Sequence, residues 1–244
     1  MRIASQIRLG QRKPWLHGWK AAAVSIYVQI LIGLAAVIAV VLASSAAAQA
    51  DPVRQMIVVS APSAKSTTAS LTAYERTGEG WQVVLGPTPA QLGELGIGTP
   101  QDDVFRTPTG TFPLGQAFGR EPNPGTRMPY FQTTEEDWWD EDVDSSAYNT
   151  HVRTANINSD DAENLYTSGV IYDYAVLIDH NPRRIPGRSA GIFLHVTDGD
   201  PTWGCVAIER DQMRSVLRWL DPSAHPQIVI GVDLGGPPAS PEHG

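Results

Sequence analysis

Cysteine is almost missing from this chain: Cys205 is the only one among 244 residues. A lone thiol excludes an intramolecular disulfide, and an oxidising compartment disfavours an unpaired thiol unless it has chemistry to do. Acidic residues are missing from the first 50 positions, whereas Arg2, Arg8, Arg12, Lys13 and Lys20 lie there, ahead of an uncharged apolar run from Ala21 to Ala43. Positive charge is correspondingly scarce afterwards. Residues 51–244 hold 13 of the 18 Lys+Arg and all 26 Asp+Glu, a formal charge of −13. Such a surface is a poor match for nucleic acid. No internal repeat is visible, and about 190 residues suit one domain with a sizeable core.

What is present begins with an export signal. Five positive charges before an apolar run hold that end in the cytoplasm. Ala48-Gln49-Ala50 has the small-x-small form that a signal peptidase cuts, which makes residues 1–50 a signal peptide and Asp51 the mature start. The run also exceeds the ~7–15 residues of an ordinary signal core, so an uncleaved signal anchor is the alternative, and only then is the protein held at a membrane. Either way the remainder is expected outside the cytoplasm.

The rest reads mainly as strand and loop. Met56–Ser60, Ser70–Arg76 and Gly80–Gly86 are β-branched or aromatic runs, the last two joined by the turn "TGEG". A Pro/Gly-rich passage, "TPTGTFPLG" from Thr107 to Gly115, precedes a polar insert at about 120–168. Val170–Asn181 and Ala190–Val196 follow as buried strands. One helix is expected in "ERDQMRSVLRWL", where Met213, Val216, Leu217 and Leu220 recur at helical spacing, with Glu209 and Asp211 at the start and Pro222 past the end. "QIVIGV" closes the domain at about 234, and residues 235–244 read as a disordered Gly/Pro/Ser tail.

The chemistry centres on "HVTDGDPTWGCVAIE" from His195 to Glu209. A thiol attacks as thiolate, and a nearby imidazole can take its proton or stabilise its charge. His195 ends an expected strand and Cys205 follows a turn-rich return, which allows the two to meet. Gly204 permits a tight backbone beside the sulfur, and the amides of Trp203, Gly204 and Cys205 are candidate oxyanion donors. The competing reading makes Cys205 a small buried hydrophobe and His195 a hydrogen-bonded core residue.

"TPTGTF", "YDYAVLIDHN" and "IFLHV…TWGCVAI" occur in an order that resembles the L,D-transpeptidases with a YkuD-type catalytic domain, over roughly Gln55 to Val232. The resemblance implies a mainly β, sandwich-like catalytic domain with one helix after the cysteine. It implies Cys205 as nucleophile, His195 as base oriented by a backbone carbonyl, and Thr202 and Gly204 as the hydroxyl residue and glycine of the (S/T)-x-G-C motif. No cofactor is implied. The implied substrates are peptidoglycan stem peptides, cross-linked or exchanged through a thioester, with an L,D-carboxypeptidase as the alternative outcome at the same site. β-Lactams, carbapenems above all, are the implied covalent inhibitors.

The chain departs from the family where many members have G-C-[IV]-R, because Ala207 stands in the arginine's place and cannot clamp a carboxylate. Arg153, Arg183, Arg184, Arg188 and Arg210 are candidate replacements, and Arg188, Thr202, Tyr172, Trp138 and Trp139 are candidate substrate contacts. The tryptophans either pack the insert onto the sheet or form a lid over a groove. The lost arginine also motivates a rival class, a wall-binding module with a buried, inert thiol. Asp140, Asp142 and Asp144 have a D-x-D-x-D look, but Ser145 and His151 stand where a calcium loop needs Gly and Glu, so a solvated acidic loop is expected. Zinc on His195, Cys205 and Asp198 or Asp200 lacks a familiar ligand spacing, and no metal is expected.

Overall fold

The computed structural model describes residues 52–238. Residues 1–51 and the last six positions lie outside them, as do the expectations of a signal peptide or anchor and most of that of a tail. No helix among the described residues is long and apolar enough to cross a membrane.

The described residues are mainly β, with a single α-helix among them. Its strands are β1 (Gln55–Ala61), β2 (Thr68–Thr77), β3 (Gly80–Gln91), β4 (Ile97–Gly98), β5 (Thr107–Pro108), β6 (Gly110–Gly119), β7 (Tyr130–Gln132), β8 (Asp137–Asp140), β9 (Thr150–Arg153), β10 (Ala162–Asn164), β11 (Ala175–Ile178), β12 (Phe193–Val196), β13 (Val206–Ile208) and β14 (Gln227–Val232). The main sheet has the order β11-β12-β13-β3-β2-β1-β14-β6-β7, and an additional β11–β6 pairing folds the order back on itself around the core. Strand β1 lies between antiparallel β2 and parallel β14. Ile57 and Val59 enter the main core while Met56 and Val58 enter a second cluster on the other face. Burial on both faces explains why this strand reads as a near-continuous apolar run.

The helix α1 (Arg210–Trp219) buries Met213, Val216 and Leu217, as its 3.6-residue period predicts. Asp211 in its first turn and Arg218 in its last complement the helix dipole. Its end is tied to β1 by one side chain. Gln55 donates to the Trp219 carbonyl at 2.8 Å and accepts from the Asp221 amide at 2.8 Å, which satisfies groups that the helix end leaves open.

Three segments differ from the sequence expectation. Val170–Tyr172 is not strand but part of a 3₁₀ turn, Gly169–Tyr172, and only Ala175–Ile178 of that run pairs. The Pro/Gly-rich passage supplies β6, in which Pro113 has no N–H to give the ladder and takes part through its carbonyl, which accepts from the Asp179 amide at 3.0 Å. The polar insert holds β7 and a three-stranded sheet, β10-β8-β9. The acidic loop within it is not merely solvated either. Asp140 is buried, and its carboxylate accepts from Ser145 at 2.7 Å, Ser159 at 2.9 Å and the Asp142 amide at 3.1 Å.

Candidate active site

Strand alternation builds the site. In β12, Leu194 and Val196 point into the main core, so Phe193 and His195 face the other way. In β13, parallel to β12, Val206 and Ile208 take the main core and leave Cys205 and Ala207 to the opposite face. Phe193, Cys205, Tyr172, Phe118, Leu165 and Trp139 belong to a third apolar cluster there, separate from that of Met56 and Val58. A two-residue period therefore brings His195 and Cys205 to one side of the sheet, where both line a cavity of about 500 Å³.

Cys205 is nearly enclosed, at 8% exposure. Its Sγ accepts from the Phe193 amide at 3.2 Å and donates to the Gly191 carbonyl at 3.3 Å. His195 Nδ1 lies 2.8 Å from the Val196 carbonyl. That contact assigns the ring proton to Nδ1 and leaves Nε2 as the basic nitrogen. Burial pushes the imidazole down to about 4, opposed by the carbonyls of Val196 and Ile171 and by Asp198. Burial pushes the thiol well up, opposed by the Phe193 amide and reinforced by Glu163 and Glu141. At neutral pH the resting pair is thus a neutral thiol and a neutral imidazole. Among the described residues no hydrogen bond joins them.

Two threonines hold the backbone of Cys205. Thr107, from "TPTG" and fully buried, accepts from the Gly93 amide at 2.8 Å and donates to the Cys205 carbonyl at 3.1 Å. Thr202 donates to the same carbonyl at 2.8 Å and accepts from the Gly204 amide at 3.2 Å. Gly204 has φ +138°, and a Cβ there would lie 2.9 Å from Ile192 Cδ1, so the motif needs glycine. The oxyanion expectation is narrowed as a result. The Gly204 amide is engaged by Thr202, whereas the Trp203 and Cys205 amides make no hydrogen bond among the described residues.

The remaining expected contacts separate. Tyr172 and Thr202 line the cavity. The Tyr172 ring stands edge-on to His195 at 5.4 Å, and its hydroxyl donates to Glu163 at 2.7 Å. Neither Trp138 nor Trp139 lines the cavity. Trp139 is buried edge-on against Phe193 at 5.0 Å with its indole N–H on Asn149 at 3.0 Å, so it packs the insert onto the sheet. Trp138 donates to the Thr154 carbonyl at 3.2 Å.

Arg188 is exposed, away from the cavity walls, and its carbonyl accepts from His180 at 2.9 Å. Arg153 is held by Asp137 at 2.8 Å and Arg210 by Asp173 at 2.8 Å, so neither replaces the missing guanidinium. Arg183 and Arg184 are exposed and outside the cavity wall. Ala207, beside His195 in the sheet register, is 1% exposed and has no room for one.

Sequence reasoning passed over Glu141, Glu163 and Gly191, all in the cavity wall. The glutamates sit in an insert whose strands carried no apolar alternation. Trp203, 74% exposed, stacks on Phe105 at the cavity edge. No group of three or more His, Cys, Asp or Glu among the described residues is arranged to hold a metal ion.

Comparison with known proteins adds the lineage. The family model described as the L,D-transpeptidase catalytic domain, YkuD, matches residues 54–230. No curated protein matches the chain. A solved structure, the helical cell shape determining protein Pgp2 from Campylobacter jejuni, is similar at 12% identity and a TM-score of 0.35, over 73% of this chain and 48% of that one. The chain thus spans about half the length of that relative. The family match runs from the residue before β1 into β14 and takes in both His195 and Cys205, and on that ground the chain belongs to the L,D-transpeptidase catalytic-domain family.

Proposed function

We propose that this protein is a cysteine acyltransferase that acts on peptidoglycan stem peptides outside the cytoplasmic membrane. The observation that carries the reading is the cavity of about 500 Å³ in which the family's cysteine and histidine face one space. His195 lies in β12 and Cys205 immediately precedes its partner strand β13, and the Phe193 amide donates to the sulfur.

His195 Nε2 takes the thiol proton as Sγ attacks the carbonyl of the third stem residue. The tetrahedral oxyanion forms beside the unengaged amides of Trp203 and Cys205, which supply the charge stabilisation. Collapse breaks the C–N bond, and His195 returns the proton to the departing amine of the terminal D-residue, leaving a thioester on Cys205. An amine of a second stem then attacks the thioester and gives its proton to His195, which passes it to the sulfur as the C–S bond breaks, leaving an amide and a free thiol. Water in place of the amine yields the shortened stem.

The test is incubation of the full chain with a disaccharide-tetrapeptide and mass spectrometry of the products. A cross-linked dimer is expected, with loss of one terminal residue per bond formed. Shortened stem alone makes the protein a carboxypeptidase. Unchanged substrate, together with a thiol that resists labelling in the folded protein, supports the wall-binding module instead.

A further inference from the structure

Trp203 is the most exposed large apolar side chain among the described residues, at 74%, yet it stands two positions before Cys205. It is not loose. Its ring stacks on Phe105, with centroids 5.4 Å apart and planes 19° from parallel. Both rings hang from backbone tied to one segment, since the Glu94 amide donates to the Thr202 carbonyl at 2.9 Å and the Leu95 amide to the Phe105 carbonyl at 3.0 Å. One face of the indole is therefore backed, and among the described residues no second ring meets it. Its N–H makes no hydrogen bond there either.

The indole belongs to the walls of two cavities, the one of about 500 Å³ that holds Cys205 and a neighbour of about 300 Å³. An exposed apolar surface at the rim of a site marks something that binds there. The smaller cavity says what kind. No lysine, arginine or histidine lines it, so an anion finds no partner. Gln101, Asp103 and Asp161 line it with side chains that make no hydrogen bond among the described residues, and they offer acceptors to a neutral ligand rich in hydroxyl or amide donors. A cation gains most from an aromatic face that is desolvated, and this face lies open. A pyranose meets both conditions, with the C–H bonds of its flat side for the negative face of the indole and hydroxyls at its edge for the acceptors.

We propose that Trp203, backed by Phe105, is a sugar platform that stacks on the amino-sugar ring carrying the stem, so that the site selects glycan-linked stems over free peptides. The proposal deepens, and rests on, the acyl-transfer reading of the neighbouring cavity. The reach agrees. Two stem residues separate the attacked third residue from the sugar, and two residues span at most about 7 Å, the same chain distance that separates Cys205 from Trp203. The amide link to the stem also removes the sugar's carboxylate, which leaves a neutral ligand for a wall without bases.

The first arm needs no turnover and no variant. The full wild-type chain is oxidised with limiting N-bromosuccinimide, and each tryptophan is read by peptide mass spectrometry, with di-N-acetylchitobiose or tetramethylammonium added. The disaccharide is expected to slow oxidation at Trp203 saturably, by about tenfold at roughly nine-tenths occupancy, and to leave the other tryptophans unchanged. Tetramethylammonium is expected to do nothing. No protection of Trp203 by the disaccharide overturns the proposal, and protection by tetramethylammonium alone makes the ring a cation site instead. The second arm compares a disaccharide-tetrapeptide with the free tetrapeptide. A preference of about tenfold in kcat/KM for the sugar-bearing stem is expected, retained in Trp203→Phe and lost in Trp203→Leu, which is apolar but not flat. A preference that survives Trp203→Leu, or equal turnover by the wild type, overturns the platform and leaves acyl transfer standing. No turnover of either substrate, with Trp203 still protected by the disaccharide, overturns acyl transfer and leaves the sugar site.

Discussion

Removing the two hydroxyls that hold the Cys205 carbonyl, singly and together, tests whether the two sequence motifs act as one unit. Thr107→Val keeps the side-chain shape but deletes the bond to Cys205 at 3.1 Å and strands the Gly93 amide that donated at 2.8 Å. One lost bond and one buried, unsatisfied N–H amount to roughly 2–3 kcal/mol. Thr202→Val deletes the 2.8 Å bond at a half-buried position, where Thr107 still serves the carbonyl, and costs about 1 kcal/mol. In the double variant the carbonyl loses both donors inside the core. Its desolvation then appears as an interaction energy of about 1–2 kcal/mol beyond the sum of the singles. Urea unfolding of the four proteins by tryptophan fluorescence measures this, with m-values checked for constancy. Additivity within about 0.5 kcal/mol refutes the shared-acceptor geometry, and with it the claim that "TPTG" and "TWGC" support one atom.

From these two groups, stability is expected to peak at mildly acidic pH. His195, held down to about 4 by burial, binds fewer protons folded than unfolded, so stability falls as pH drops from its ordinary value near 6.5 toward 4. Glu141, pushed up to about 8, does the reverse, and stability falls as pH rises from about 4.5 toward 8. Thermal melts across pH should show the acid limb weaken in His195→Gln and the neutral-to-alkaline limb flatten in Glu141→Gln; unchanged limbs contradict the burial of these groups. Restoring the family's arginine with Ala207→Arg is expected to destabilise the fold by at least 3 kcal/mol, because the site beside His195 is closed and the charge would be unpaired. A variant as stable as wild type shows that a route for the guanidinium exists. Trp139→Ala should cost roughly 3–5 kcal/mol through the lost contact with Phe193, and a smaller loss on urea unfolding than about 1 kcal/mol would mean the insert is not anchored there. A carbapenem is expected to leave one adduct on the peptide containing Cys205, absent in Cys205→Ala and slower in His195→Ala. Intact-protein mass spectrometry reads this, and an adduct that survives Cys205→Ala moves the nucleophile elsewhere.

The chain's order of residues determined the parts whose signal is local and periodic. The apolar spacing of Met213, Val216 and Leu217 is enough for a helix, and the run at Met56–Ser60 is enough for a strand covered on both faces, because burial of one face or two writes itself into the repeat. That His195 and Cys205 could meet was also legible, from the expected strand and the turn-rich return between them, and they line one cavity. Strand β6 and the insert's sheet were not. β6 is held by partners far along the chain, β14 and β11, which override the Pro/Gly composition of its own sequence. The insert is held by Trp139, whose value depends on Phe193 being beneath it. The charge of the cavity is also a tertiary property. Glu141 and Glu163 stand 22 positions apart on the flanks of a small sheet, and only its packing over Gly191 turns two polar residues of an insert into neighbours of the thiol. Burial, and not proximity in sequence, decides what those carboxylates do, since the same groups in water would be ordinary and their effect on the sulfur screened.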